Sequence, residues 1–433
     1  MTQVKDNILF NNKWIIAYYV VLSVLLFSMM RPGVDLPMTR RIVLMGLIFI
    51  PTLFVKDILP AIAVFFLGID IGGFTAFLPS NDLIVFAIIL VLYIYNQGIA
   101  GTKRYSILPI CLAYLSYFVL LSLFHADIRP KIIWVVIAFL LGDMIKSKKN
   151  LMLVFYMFML LSIFLGLLFV AHRGEFAVSY GSEELERSFW INPNVFGAEI
   201  SAGGVLAFAY LMGVLEFEKN KFAKILSIIT VAFAFFTLVI NASRGAILAF
   251  ALPVLVLVMT SKTKMTIKVL IILVGSVFIL WLFNSGYFDL LLYRIEADET
   301  GGTGGRMGIW SVKLNAFFIE GNPLSLLLGI GQEGCVNIGT YKSTHNDFVT
   351  AFIAYGLLGL FLFIYVIFIY PYKKAGRRMR ILVLSLLSYL IVECCVLEPF
   401  FRFYIVELMF YFFILRYVLI MRKDNGGTML ESR

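Results

Sequence analysis

Charge is scarce in this chain. Only 14% of its 433 residues are Asp, Glu, Lys or Arg, against about 25% in a soluble globular domain. That shortage excludes an ordinary cytosolic or secreted enzyme. Metal-ligand residues are scarce too, with three histidines and four cysteines. Cys111, Cys335, Cys394 and Cys395 form no C-x-x-C pair, and no H-E-x-x-H occurs. Neither zinc-site spacing nor a disulfide framework is therefore present. G-x-S-x-G is absent, which removes the nucleophile-elbow hydrolases. Asp-x-Asp is absent as well, which argues against the usual metal-dependent handling of nucleotide-sugar donors.

What fills the chain instead is apolar. Hydrophobic residues make up 61% of it, 42 of them Phe, and the mean hydropathy is +0.95. At roughly 20 apolar residues per crossing the length allows about 12 to 14 membrane spans. Apolar runs fall near 14–30, 42–55, 58–78, 83–100, 105–124, 130–145, 151–171, 195–215, 222–240, 245–260, 267–284, 347–370, 379–397 and 400–420. Pro51, Pro60 and Asp143 interrupt or shorten the second, third and sixth. The expectation is an all-α, polytopic membrane bundle, 1–433 forming one integral-membrane domain. The first run follows Lys5 and Lys13 and leads into Arg31-Pro32-Gly33 without a small-residue cleavage site, so it reads as a retained span. Only the last dozen residues form a polar tail.

The net charge of +10 then reflects cationic cytoplasmic loops, with no nucleic-acid partner implied. With 14 spans and both termini cytoplasmic, the inner loops hold 16 Lys and 7 Arg and the outer ones 3 Lys and 10 Arg. Orientation needs only positive charge, whereas arginine is favoured where a planar fork must hold phosphate or carboxylate. The outer face therefore has the composition of an anion site. Two outer loops exceed what hydropathy requires, 172–194 and 285–345, and long loops in a compact protein are usually functional. Within the second, the flexible run 301–305 leads into a predicted amphipathic helix near 306–320. Trp310, Leu314, Phe317 and Phe318 share a face there that would lie on or against the membrane.

Two segments carry chemistry. Ser243-Arg244-Gly245 forms a tight turn between spans, leaving one guanidinium at the membrane surface among small residues that let a ligand approach. His345 ends the long outer loop just before a span, where Asn346 or Asp347 would cap the helix and its N-terminus would favour an anion. That dipole also favours a neutral imidazole, the form a general base needs. Gly329-Ile330-Gly331-Gln332-Glu333-Gly334 matches G-x-G-x-x-G but follows no predicted strand, and reads as a turn. Intramembrane Glu199, Glu393 and Glu407 are costly and call for arginine partners.

These segments resemble the O-antigen polymerase and O-antigen ligase superfamily, membrane glycosyltransferases acting on polyprenyl-diphosphate-linked glycans. The resemblance rests on His345, Asn346, Gly356 and Gly359, on Ser243-Arg244-Gly245, on Gly305, Arg306 and Trp310, and on Asn192-Pro193-Asn194, in that family's order. It covers about 190–360. It implies the large membrane-glycosyltransferase fold in a bacterial inner membrane, with the site facing the periplasm or exterior. It further implies that His345, Arg244 and Arg306 are catalytic, that Arg173, Arg187, Asn194 and Asn346 bind substrate, and that no metal or cofactor is needed. The partners implied are a polyprenyl-diphosphate-linked oligosaccharide, membrane lipid and a chain-length regulator protein. Repeat-unit polymerase is the expected activity, with ligase onto lipid A–core and lipid-linked glycan transport as alternatives.

Overall fold

The computed structural model describes residues 140–171, 193–286 and 306–430, apart from 218, 219, 242, 378, 403 and 404, together with scattered positions between 18 and 125. The first five expected runs, most of 130–145, and the 172–192 and 287–305 stretches lie largely outside the described residues. Helices follow one another as α1 (Lys148–Ala171), α2 (Pro193–Leu211), α3 (Lys221–Asn241), α4 (Arg244–Thr260) and α5 (Met265–Asn284). Next come α6 (Arg306–Glu320), α7 (Pro323–Leu328), α8 (Gly331–Asn337) and α9 (Asp347–Ile364), which runs on through a π turn to Lys374. The chain closes with α10 (Arg380–Val396), α11 (Pro399–Arg402) and α12 (Ile405–Leu430).

No strand occurs among the described residues. Four helices there, Lys148–Ala171, Asn194–Leu211, Lys221–Asn241 and Asp347–Lys374, are long and apolar enough to cross a membrane. The chain is thus an all-α polytopic membrane protein. In the run at 400–420 the short α11 precedes α12, which extends as far as Leu430.

α2 is the most deeply buried of the four long helices, and its small residues explain why. A Cβ at Gly203 would lie 2.2 Å from the Phe158 carbonyl oxygen of α1; one at Gly204 would lie 2.9 Å from Ala234 Cβ of α3 and 2.7 Å from Phe250 Cε2 of α4. Spans in lipid gain little from the hydrophobic effect between them, so close backbone approach and buried hydrogen bonds hold them together. Ser162 Oγ donates to the Ile200 carbonyl at 2.9 Å, Ser201 Oγ to the Ala246 carbonyl at 3.0 Å, and Tyr389 OH of α10 to the Ala198 carbonyl at 3.0 Å. The antiparallel run brings the N-termini of α2, α4 and α9 to the same end as the C-terminus of α10. The lysine-bearing turns after α2 and α4 lie at the other, where Thr263 Oγ1 donates to the Met212 carbonyl at 3.3 Å.

At the end away from the α2 and α4 N-termini, α12 is fastened by a buried ion pair. Arg416 and Asp143 are 1% and 2% exposed. The guanidinium pairs with the Asp143 carboxylate and donates to the carbonyls of Gly142 at 2.9 Å and Asp143 at 3.0 Å. Tyr93 OH donates to the other carboxylate oxygen at 2.8 Å. Removing one partner of such a pair costs about 3–5 kcal/mol, while replacing both by apolar groups is close to neutral. Asp143→Ala is therefore expected to lower the thermal unfolding midpoint in detergent more than Asp143→Leu combined with Arg416→Met. Equal losses would show that the backbone contacts of Arg416, and not its pairing, make the joint.

Candidate functional site

Arg244 is the first residue of α4, and the turn before it is stitched to α2. Ser243 caps α4, its Oγ accepting from the Ala246 N–H at 3.4 Å and donating to Asn194 Oδ1 at 2.8 Å. Asn194 stands in the first turn of α2, so two expected site residues meet through one hydroxyl. Asn241, at the end of α3, is buried, whereas Arg244 is half-buried. Gly245 lets this turn sit on α10: a Cβ there would lie 2.3 Å from Val396 Cγ1.

Two residues beyond Val396, Glu398 opens the turn to α11. It is one of two non-glycine residues with positive φ among those described, at 67°; the other is His345, at 49°. The two strained positions are tied together. Glu398 accepts hydrogen bonds from Ser343 Oγ and Thr350 Oγ1, both at 2.5 Å, and also from Thr344 Oγ1. Asn346 caps α9, its side chain accepting from the Val349 N–H at 3.0 Å. Asp347 is released from capping and turns to α11, accepting from the N–H groups of Phe400 at 3.1 Å and Phe401 at 3.2 Å. His345 itself is half-buried.

Arg306 opens α6, one turn before Trp310. The indole N–H of Trp310 donates to the Thr344 carbonyl at 2.6 Å, so this anchor fixes the helix start carrying Arg306 against the residue preceding His345. The Arg306 charge also lies within electrostatic reach of Glu393 on α10. The Glu393 carboxyl is 1% exposed and has no hydrogen-bond partner among the described residues. Arg306, like Arg244, is half-buried.

The segment 306–346 is held by a lysine. Lys313 is wholly buried, and its ammonium donates to the carbonyls of Cys335 at 2.6 Å, Val336 at 2.8 Å, Thr340 at 2.9 Å and Ile338 at 3.3 Å. These are the carbonyls at and beyond the end of α8, which lack helical partners. Burial pulls the Lys313 pKa down, while nearby Cys335 and Glu398 act to raise it. The face expected to lie on the membrane is corrected here. Phe317 is fully buried and packs edge-on against Phe352 of α9 at 5.3 Å. Phe318, of the same expected face, is exposed, as are Met307, Val312 and Ile319. Satisfying Lys313 requires that Trp310, Lys313 and Phe317 face the protein.

The glycine pattern also has a structural reason. Gly356 breaks α9 with φ 68° and ψ −170°. A Cβ there would lie 2.2 Å from the Leu327 carbonyl oxygen, and one at Gly329 would lie 2.2 Å from that of Ala354. The two backbones cross at these glycines. The carbonyls freed by the break are met by the Ile330 N–H at Ile353, 3.1 Å away, and by Tyr117 OH at Tyr355, 3.0 Å away. The G-x-G-x-x-G segment is thus the joint between α7 and α8.

The structure gathers Arg244, Arg306, His345, Asn194 and Asn346 at one end of the bundle, while Arg173 and Arg187 lie outside the described residues. Sequence reasoning missed Glu398, Lys313, Thr344 and Thr350, and gave Asp347 only an alternative capping role. The buried carboxylate before Pro399 was the one available signal. Lys313→Met would leave several buried carbonyls without a donor, at about 1–3 kcal/mol each. Hydrogen exchange of the 331–340 amides is expected to rise by orders of magnitude with little change in α1–α4. Unchanged exchange would show that α8 holds itself.

Among curated proteins and among solved structures, none matches the chain. Residues 229–364 match the family model described as O-antigen ligase. That stretch runs from within α3 to the end of α9, taking in Arg244, Arg306, His345 and Asn346 but not Asn194. In this segment, which is less than a third of the chain, the protein is similar to that family.

Proposed function

We propose that the protein transfers a glycan from a polyprenyl diphosphate to a sugar hydroxyl of a second lipid-linked repeat unit, as an O-antigen or capsule polymerase. The observation carrying this reading is the convergence of three features at one end of the bundle. These are two half-buried arginines, one histidine, and the N-termini of α2, α4 and α9. Helix N-termini and guanidiniums both favour anions, and arginine suits a diphosphate fork. The donor's bond between anomeric carbon and diphosphate oxygen breaks as the acceptor hydroxyl attacks. The electron pair leaves on the diphosphate, where Arg244 and Arg306 neutralise it without a metal. His345 takes the hydroxyl proton, and attack from the opposite face inverts the anomeric centre. Arg173, Arg187, Asn194 and Asn346 bind substrate around this centre. The site faces the periplasm or exterior of a bacterial inner membrane, both termini are cytoplasmic, and a chain-length regulator is a further partner.

The length of the segment between α5 and α9 supports polymerase, since the stretch 285–346 is too short in sequence to hold an added outer domain. A second reading, ligase transfer onto lipid A–core, is favoured by the description of the matching family. One assay separates them. Purified protein in lipid with a polyprenyl-diphosphate-linked repeat unit as its sole substrate is expected to yield a ladder of products. Product formed only after lipid A–core is added would make it a ligase, and none in either case would return the protein to transport.

Replacements test the arginines in the same assay. Arg244→Lys and Arg306→Lys keep the charge but lose the fork. Each is expected to lower kcat by about 10²–10³, the effect of deleting one preorganised donor. A wild-type rate in Arg244→Lys would remove that residue from the leaving-group site.

A further inference from the structure

We infer that Glu398 is the positioning residue of this site, holding His345 in its left-handed conformation through the hydroxyls on either side of it. The inference rests on the proposed role of His345 as base. No sequence motif pointed to it; the geometry does.

A non-glycine residue in the left-handed region is strained, and such residues persist only where their surroundings over-determine them. For His345 those surroundings can be named. On its N-terminal side, Thr344 is held twice, by its hydroxyl on Glu398 and by its carbonyl on the Trp310 indole. On its C-terminal side, the Asn346 N–H donates to Thr344 Oγ1 at 3.3 Å, and Thr350 of the first turn of α9 again reaches Glu398. Ser343 supplies a third hydroxyl. One carboxylate thus collects three hydroxyls from a stretch of eight residues and closes that stretch around His345. Glu398 is itself left-handed and 4% exposed, so its own placement is costly.

The clamp is set by its surroundings. Pro399 follows Glu398, the Asp347 carboxylate caps the next two N–H groups, and Gln332 Nε2 donates to the Phe401 carbonyl at 3.1 Å. Val396, two residues before, carries the Gly245 contact. Glu398 therefore joins the Arg244 turn, the His345 segment and, through Trp310, the start of α6. A neutral acceptor would serve one hydroxyl well; gathering three needs the several lone pairs of a carboxylate.

Steady-state transfer kinetics on four proteins test this: wild type, Glu398→Ala, His345→Ala and the double variant. Displacing a catalytic group by about 1 Å costs on the order of 10²-fold. Glu398→Ala is therefore expected to lower kcat by about that factor, with donor KM within twofold. In the His345→Ala background, Glu398→Ala is expected to cost nothing further. A further loss there as large as in the wild type would overturn the inference, as would wild-type kcat in Glu398→Ala. Should Glu398→Ala fail to fold, Thr344→Val with Thr350→Val removes two of the three hydroxyls and carries the same expectation. Full activity in His345→Ala would instead sink the proposed chemistry, leaving the clamp to be judged by His345 itself. Its rate of modification by diethyl pyrocarbonate, read by mass spectrometry, is expected to change when Glu398 is replaced, and an unchanged rate counts against the clamp.

Discussion

Non-helical backbone at the end of a membrane bundle has no helical ladder to satisfy it, and every buried N–H and carbonyl there needs a partner from elsewhere in the protein. The rest of this end of the molecule depends on that constraint. Lys313 collects the carbonyls around the end of α8; Trp310 takes that of Thr344; Tyr117 and the Ile330 N–H meet those freed by the break at Gly356. Asp347 closes the start of α11. Each of these bonds joins segments far apart in sequence. The stretch 306–346 is thereby built into the bundle and is not a loop lying on it.

The parts of the site legible in the sequence are those carried by short local patterns. Ser243-Arg244-Gly245 announced a tight turn because its residues cap and cross within three positions, and the structure shows Ser243 capping α4 and Gly245 seated on Val396. His345-Asn346 announced a helix start, and Asn346 caps it. Arg306 and Trp310, one helical turn apart, announced a helix, although which face would turn inward was misjudged. The inward face is chosen by Lys313, whose partners are 22 to 27 residues away. Apolar periodicity cannot display a lysine buried by design. Glu398 is the same case, since its hydroxyl partners lie 48 to 55 residues upstream. In the sequence it is one acid before a proline.

The distribution of burial separates two kinds of residue at this end. Lys313, Asp347, Thr344 and Glu398 are all at most 4% exposed, whereas Arg244, Arg306 and His345 are half-buried. A group proposed to meet a lipid-borne anion has to be reachable, and one that holds backbone in place is most effective out of water, where its hydrogen bonds are strongest. The signature that gave the family resemblance mixes the two. His345 belongs to the reachable set, Asn346 is a buried cap, and Gly356 is a backbone crossing against Leu327. Replacing Gly356 would disturb the site through α9 without touching a reacting atom. A motif of this kind therefore identifies a place in the fold before it identifies a chemical group. The proposed chemistry is better argued from the half-buried arginines and histidine that the buried residues hold together.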